Sequence, residues 1–300
     1  MPDPDPTATV AELEGRRLRL THLDRVVYPA AGFTKAAVLR YYTQVGATML
    51  PHLRDRPASF LRLPEGVDGE RFWAKRVPPG APRWVSGLEV THGAETMRQT
   101  VVGDLPTLVW AANLGCLEIH VPQWRTRPET HDRLIIDLDP GEGADVLDCC
   151  EVALLARELL TADGLTAWPK TTGSKGLHLT VSLVETSAEQ VNDYARQLAR
   201  RLRTARPALV VDRMAKHLRP RRVFVDWSQN SSAKTTIAAY SLRARPQPTV
   251  STPLTWAEVE SCERAEQLVF SADQVAARVA AGGDPHRSLT EPAGACRLPG

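Results

Sequence analysis

The chain has 300 residues, of which 43% are apolar and 24% charged, and its net charge is +2, a composition ordinary for a globular protein with a substantial core. No stretch approaches the roughly 20 apolar residues that cross a bilayer. The first residues lack the basic-then-apolar order of a secretion signal, and five cysteines without CxxC spacing argue against a disulfide framework or a zinc site, so a cytoplasmic protein is expected.

In chain order, residues 1–11 read as a disordered lead. Thr34 caps a helix with Val38, Tyr42, Val45 and Met49 on one face. Strands are expected at 117–121, 134–138, 177–184, 223–227 and 235–242, several of them alternating polar with apolar as antiparallel pairing requires. Asp145 opens a second helix running through Leu154 and Leu159. Ser187 and Gln190 form a capping box ahead of Val191, Tyr194, Leu198 and Leu202. Ser271 and Gln274 repeat that signature before a helix closed by Gly282 and Gly283. Residues 284–300 read as a loose tail. Strands and helices mix without a βαβ rhythm, which predicts an α+β (mixed α/β) fold. One compact catalytic domain is expected over 12–283, with an N-terminal subregion to about 128 and a core from about 129.

Charge is unevenly spread. Arginines crowd residues 196–222, where Asp212 is the only acid, whereas 137–163 is acidic with Arg157 as its only strong base. Clustered guanidinium groups suit phosphate, and clustered carboxylates suit metal ions.

The sharpest motif is Leu134-Ile-Ile-Asp137-Leu-Asp139-Pro140. Residues i and i+2 of a strand share a face, so Asp137 and Asp139 project together from an apolar run that Pro140 and Gly141 end. Two carboxylates forced together repel unless a divalent cation lies between them. Asp226 sits in a similar run, Val223-Phe-Val-Asp226-Trp227, where an unpaired charge is costly. Three such aspartates meet the needs of two-metal nucleotidyl transfer; a salt bridge to a nearby arginine is the plain alternative for Asp226. In Lys170-Thr-Thr-Gly173-Ser-Lys175-Gly-Leu-His178 the glycines allow a tight turn, and Ser174 and Lys175 offer a hydroxyl and an ammonium to phosphate. The spacing is not that of a Walker loop.

Together these segments resemble the polymerase domain of bacterial ligase D, within the archaeo-eukaryotic primase superfamily. The resemblance also takes in Leu23-Asp-Arg-Val-Val-Tyr-Pro29, Phe33-Thr-Lys35 with Tyr41-Tyr42, Pro51-His-Leu-Arg-Asp-Arg-Pro57, Gly66-Val-Asp-Gly69, Glu118-Ile-His-Val-Pro-Gln-Trp124, Val225-Asp-Trp-Ser-Gln-Asn230, Lys234-Thr-Thr and Ser241-Leu-Arg-Ala-Arg-Pro246. It implies a primase-type core with RRM-like antiparallel or mixed sheets flanked by helices. It implies a DNA-dependent nucleotidyltransferase that extends primers and fills short gaps during non-homologous end joining, preferring ribonucleotides. Asp137, Asp139 and Asp226 would bind two ions, Mn2+ or Mg2+. Thr172, Ser174, Lys175, Arg219 and Arg243 would contact the triphosphate of an NTP or dNTP; Asn113, His120 and Gln229 would lie near its sugar or phosphates. His178 and Lys234 would support the pocket. Arg25, where the family commonly has lysine, and Lys35 would take the 5′-phosphate of the downstream strand, and Phe72 and Trp73 would stack on template bases.

The partners implied are DNA ends, gapped or primer-template DNA, a Ku-type end-binding protein and a separate ATP-dependent DNA ligase, at the bacterial nucleoid. No segment after residue 283 resembles a ligase or phosphoesterase, so a stand-alone polymerase or an isolated domain is expected. Two other readings are open on the residues alone. A metal-dependent nuclease or phosphoesterase would use the same aspartates but has little use for a triphosphate loop. A non-catalytic DNA-end-binding module would not need all three.

Overall fold

A computed structural model describes residues 8–92 and 95–299, and the chain divides into two compact units. The first comprises Met1–Val121, Tyr240–Thr249 and Ser271–Gly283; the second comprises Pro122–Ala239, Val250–Phe270 and Asp284–Gly300. Residues 1–7 of the expected lead lie outside the described residues. The rest of it enters a strand, Thr9–Leu13, which pairs antiparallel with Arg16–Leu20. Glu14 and Gly15, both at positive φ, make the two-residue turn that a tight hairpin requires.

In the first unit, Thr34 accepts a hydrogen bond from the Ala37 amide and starts the Lys35–Leu53 helix. Val38, Tyr42, Val45 and Met49 are buried along it as the spacing requires. Three antiparallel strands, Phe72–Ala74, Ser59–Arg62 and Cys116–Val121, lie side by side in that order. A hairpin of Gly87–His92 with Glu95–Thr100 and a helix at Leu105–Asn113 were not expected from sequence. Asp104 caps that helix, with its side chain accepting from the Thr107 amide at 2.8 Å.

The second unit is built on a five-stranded sheet in the order Ala167–Thr171, Leu177–Ser187, Thr130–Pro140, Val223–Val225, Val210–Val211. Its pairings are antiparallel except the last, which is parallel. The helices Val146–Ala162 and Ala188–Ala205 contribute Val152, Ala156, Leu160, Val191, Leu198 and Leu202 to one core with the sheet. Asp145 closes a capping box on the first of these helices. Among the described residues six α-helices and several small sheets make up the mixed α/β fold.

Two further segments differ from expectation. The strand foreseen at 235–242 is only Thr236–Ile237; further along the foreseen run Tyr240, at φ 67°, leaves the extended region altogether. The tail foreseen as loose from residue 284 carries short 3-10 turns, and the Cys296 amide donates to Ser182 O at 2.8 Å while Val184 N donates to Cys296 O at 2.9 Å. Among the described residues no helix is long and apolar enough to cross a membrane.

Candidate active site

Alternation along the strands sorts the side chains of the second unit. Leu134, Ile136, Leu138, Leu177, Leu179 and Val181 belong to the helix-facing core, so Asp137, Asp139 and His178 face the other way. Register sets Asp137 opposite His178, and His178 opposite Lys170. Asp137 is buried, 6% exposed, with its Oδ1 at 3.2 Å from His178 Nε2. Asp139 is exposed near the end of the same strand, opposite Phe224.

Asp226 reaches this neighbourhood through the backbone. Val225 pairs with Leu138, and the Asp226 amide donates to Asp137 O at 2.9 Å. The chain then leaves the strand in a 3-10 turn, Trp227–Asn230, which the Asp226 side chain caps. Asp226 Oδ1 accepts from the Ser228 amide at 3.1 Å and from the Ser228 hydroxyl, and Oδ2 accepts from Gln229 Nε2 at 2.9 Å. Lys234 Nζ donates to Ser228 Oγ and stands 3.8 Å from Asp226 Oδ2. Asn230 locks the turn to the sheet: its amide exchanges two 2.8 Å hydrogen bonds with the backbone of Ile135.

Burial, and then the neighbouring Asp226 charge, push the Asp137 carboxyl up to about 7, against the opposing pull of Lys170, Lys234 and the Gln229 hydrogen bond. Two carboxylates are thus held together at the expense of ionisation, the situation a divalent cation relieves. Asp137 Oδ1 has no hydrogen-bond partner, and an all-oxygen donor set suits Mg2+ or Mn2+. The residues present fit such an ion. Among the described residues, however, no three or more His, Cys, Asp or Glu side chains stand ready as a metal cluster; the carboxylates are an open set rather than a closed cage.

The loop before the Leu177–Ser187 strand is wound on itself. Thr172 N donates to Gly176 O at 2.9 Å, and the Ser174 and Gly176 amides each donate to Thr172 Oγ1 at 3.3 Å. Gly173 holds φ +68°, which favours glycine. Ser174 and Lys175 line a cavity of about 260 Å³ together with Asp145, Leu268 and Val269. Arg219, from the arginine-rich stretch, lies with its guanidinium 3.7 Å from the centre of the Phe224 ring and donates to Met214 O at 2.8 Å.

In the first unit the sheet face that carries Glu118 holds a second polar group. His120 Nε2 is 2.8 Å from Glu118 Oε2, and Arg243 Nε is 3.2 Å from Glu118 Oε1. Burial raises the proton affinity of Glu118, but the His120 hydrogen bond, the Arg243 and His120 charges and the Ala244 amide outweigh it and hold the carboxyl below its usual range. The Trp73 ring meets His120 edge-on with centroids 4.9 Å apart. Phe72, its chain neighbour, falls on the opposite face, under the Arg62 guanidinium at 5.1 Å. Both aromatics are exposed, 44% and 55%.

Arg25 and Lys35 are brought together near the start of the chain. Lys35 N donates to Arg25 O at 2.8 Å. Burial and the Arg25 charge lower the Lys35 ammonium to about 8, while Arg25 donates to Pro64 O at 2.6 Å and to Glu65 at 2.8 Å. Asn113 stands apart from these groups in its bonding: its Oδ1 accepts from Thr21 N at 3.3 Å and its Nδ2 donates to Arg19 O at 3.1 Å.

Sequence reasoning assigned no role to Lys170, Ser228, Asn230 or Glu118. Lys170 is buried with its Nζ 2.7 Å from Ser251 Oγ, and its charge acts on Asp137. The signal in the sequence is its place: Lys170 follows the apolar Trp168-Pro169 and opens the same segment that carries the Gly-Ser-Lys loop.

Residues 34–286 match the family model described as the LigD primase-polymerase domain. The chain is 44% identical over 279 residues to the multifunctional non-homologous end joining DNA repair protein LigD of Mycobacterium tuberculosis, covering 90% of this chain and 36% of that protein. It is 30% identical over 273 residues to the bifunctional LigD of Bacillus subtilis, covering 90% and 43%. This chain therefore spans well under half of the curated relatives it matches. The solved polymerase domain of Mycobacterium tuberculosis ligase D, in complex with DNA, superposes with a TM-score of 0.88 at 43% identity, over 91% of this chain and 98% of that one. A family model covering most of the chain, together with a match to a solved relative over 91% of it, establishes that this chain belongs to the LigD primase-polymerase domain family.

Proposed function

We propose that the chain is a DNA-dependent nucleotidyltransferase that extends primers and fills short gaps, with a preference for ribonucleotides, in double-strand break repair by non-homologous end joining. The observation that carries this reading is the buried Asp137 set against Asp226, on the sheet whose neighbouring strand begins at the Gly-Ser-Lys loop, in a chain of this family. Asp137, Asp139 and Asp226 would hold two divalent cations, Mn2+ or Mg2+. When bound, these supply activation of a primer 3′-hydroxyl and charge neutralisation on the triphosphate.

The chain's own groups have distinct tasks. Gln229 and Lys234 orient Asp226, and His178 faces Asp137; each acts as support for a ligand carboxylate. Thr172 fixes the loop from within, so that Ser174 and Lys175 meet phosphate oxygens. Lys175, Arg219 and Arg243 stabilise charge developing on the departing pyrophosphate. His120 and Gln229 contact the sugar or phosphates of the incoming nucleotide. Asn113 takes part only by exchanging its bonds to the N-terminal hairpin. Phe72 and Trp73 stack on template bases, an interaction that tolerates any sequence. DNA ends, a Ku-type protein and an ATP-dependent DNA ligase activity are the partners of this reading, at the nucleoid.

Arg25 and Lys35 receive the 5′-phosphate across the gap, where arginine can bind in a forked geometry that lysine lacks. A pH dependence follows. Lys35 is ammonium below about 8 and loses its proton as pH rises through that value, so the advantage of a 5′-phosphorylated gap over an unphosphorylated one is expected to shrink between pH 7 and pH 9. Fluorescence anisotropy of the two DNAs across that range checks it; an advantage that stays constant removes Lys35 from the phosphate site.

The direct test is extension of a gapped duplex with and without the 5′-phosphate, using NTPs and dNTPs separately. Fastest extension with NTPs on the phosphorylated gap is expected. Equal activity in all four combinations would reject specialised end joining, and a shortened primer would indicate a nuclease.

A further inference from the structure

We propose that Glu118 is a positioning residue for nucleotide binding: its carboxylate holds His120 and Arg243 in the orientations that receive the incoming nucleotide. This rests on the nucleotidyl-transfer reading above, which gives His120 and Arg243 their contacts, and it adds the residue that aims them.

The geometry carries it. Both carboxylate oxygens are in use. Oε2 meets His120 Nε2 at 2.8 Å; Oε1 meets Arg243 Nε at 3.2 Å and accepts from the Ala244 amide at 2.9 Å. Glu118 and His120 are two apart on one strand and share a face, whereas Arg243 arrives from a distant stretch of the same unit. A single buried carboxylate therefore couples an imidazole and a guanidinium that nothing in the local sequence brings together. Its bond to Nε2 fixes the ring orientation of His120, which Trp73 contacts edge-on. Its charge lies 3.2 Å from Arg243 Nε as an ion pair, which tethers the guanidinium to the carboxylate that also holds His120, and guanidinium groups suit phosphate.

The backbone near Arg243 does not depend on Glu118 alone. Tyr28 Oη donates to Arg243 O at 2.9 Å, and Arg243 N donates to Thr249 O at 2.9 Å. Removing the Glu118 charge should thus release the side chains while the segment stays in place. Glu118→Gln keeps the volume and an acceptor for Ala244 N but removes the carboxylate charge that meets both side chains.

The test uses the full chain, with nucleotide saturation of primer extension at fixed metal and DNA, calorimetric titration with ATP, and thermal unfolding. Glu118→Gln is expected to raise KM and the ATP Kd about tenfold, the size usual for losing a supporting contact, with kcat within about twofold and affinity for 5′-phosphorylated DNA unchanged. The double variant Glu118→Gln with His120→Ala should bind nucleotide more weakly than His120→Ala alone, through the released Arg243, but by less than the product of the two single effects, because residues that act through one another are not additive. Glu118→Asp, which retains the charge, should recover part of the loss, and it stands in for Glu118→Gln if the latter unfolds at a lower temperature. A folded Glu118→Gln with wild-type KM and ATP Kd, or full additivity with His120→Ala, overturns the proposal. Absence of any extension by the unmodified chain would instead defeat the transfer reading, and the ATP titration would still decide whether Glu118 positions a nucleotide.

Discussion

Asp139→Ala is expected to reduce primer extension at least about a thousandfold while DNA affinity and the unfolding temperature stay close to those of the unmodified chain. A lost metal ligand removes several kcal/mol of charge stabilisation, and about 4 kcal/mol is a thousandfold in rate. Of the three aspartates, Asp139 gives the cleanest reading because it is the exposed one. Asp226 caps its own turn through three hydrogen bonds to Ser228 and Gln229, so its removal would disturb structure as well as chemistry. Asp137 is buried and repelled by Asp226, so its removal would alter stability by relieving that strain. Truncating Asp139 leaves Leu138 and Phe224 packed as they are. Extension on a labelled primer-template, an anisotropy measurement of DNA affinity and a thermal melt together decide the matter. Extension retained within tenfold would remove Asp139 from the metal site.

The strand alternation that placed Asp137 and Asp139 on one face was legible from Leu134 to Pro140, because a period of two is a local property. Their different exposure was not, since that depends on what lies over each end of the strand. The helix caps at Thr34, Asp145 and Ser271 were legible for the same local reason. The Leu105–Asn113 helix was missed although Asp104 and Pro106 mark its start; it is too short to display a clear apolar period. Phe72 and Trp73 read as a pair in sequence, yet adjacent strand positions point to opposite faces, and only Trp73 reaches His120. The resemblance to a known family supplied Arg243 and His120, but neither it nor the spacing exposed Glu118 as the group joining them. That contact spans residues 118 and 243, and long-range pairing is the part of a fold that one sequence states least directly.

The same distance between local and tertiary information makes Gly176 a sensitive position outside the carboxylates. Gly176→Ala is expected to destabilise the protein by about 2–4 kcal/mol and to lower kcat/KM for nucleotide about a hundredfold. A Cβ at this position would fall 2.2 Å from Leu138 O and 3.3 Å from Pro140 Cδ. The nearest atom is backbone in the middle of the sheet, so it cannot swing aside as a side chain could. Leu138 lies between Asp137 and Asp139 and pairs with Leu177, so any outward shift of the loop pulls on the strand that carries both aspartates. The shift would also loosen the Thr172 N to Gly176 O bond and the Gly176 N to Thr172 Oγ1 bond, each contributing about 1 kcal/mol. Lys175 would lose its place relative to the carboxylates at the same time, which is why activity should fall further than stability alone accounts for. Gly282→Ala is the matched control: a Cβ there meets nothing within 4 Å, at the end of a helix where alanine is favoured over glycine. Thermal melts and nucleotide saturation curves of the two variants separate the readings, because a Gly176→Ala protein with the melting point and kcat/KM of the Gly282→Ala control would mean that the loop does not bear on the strand as its geometry requires.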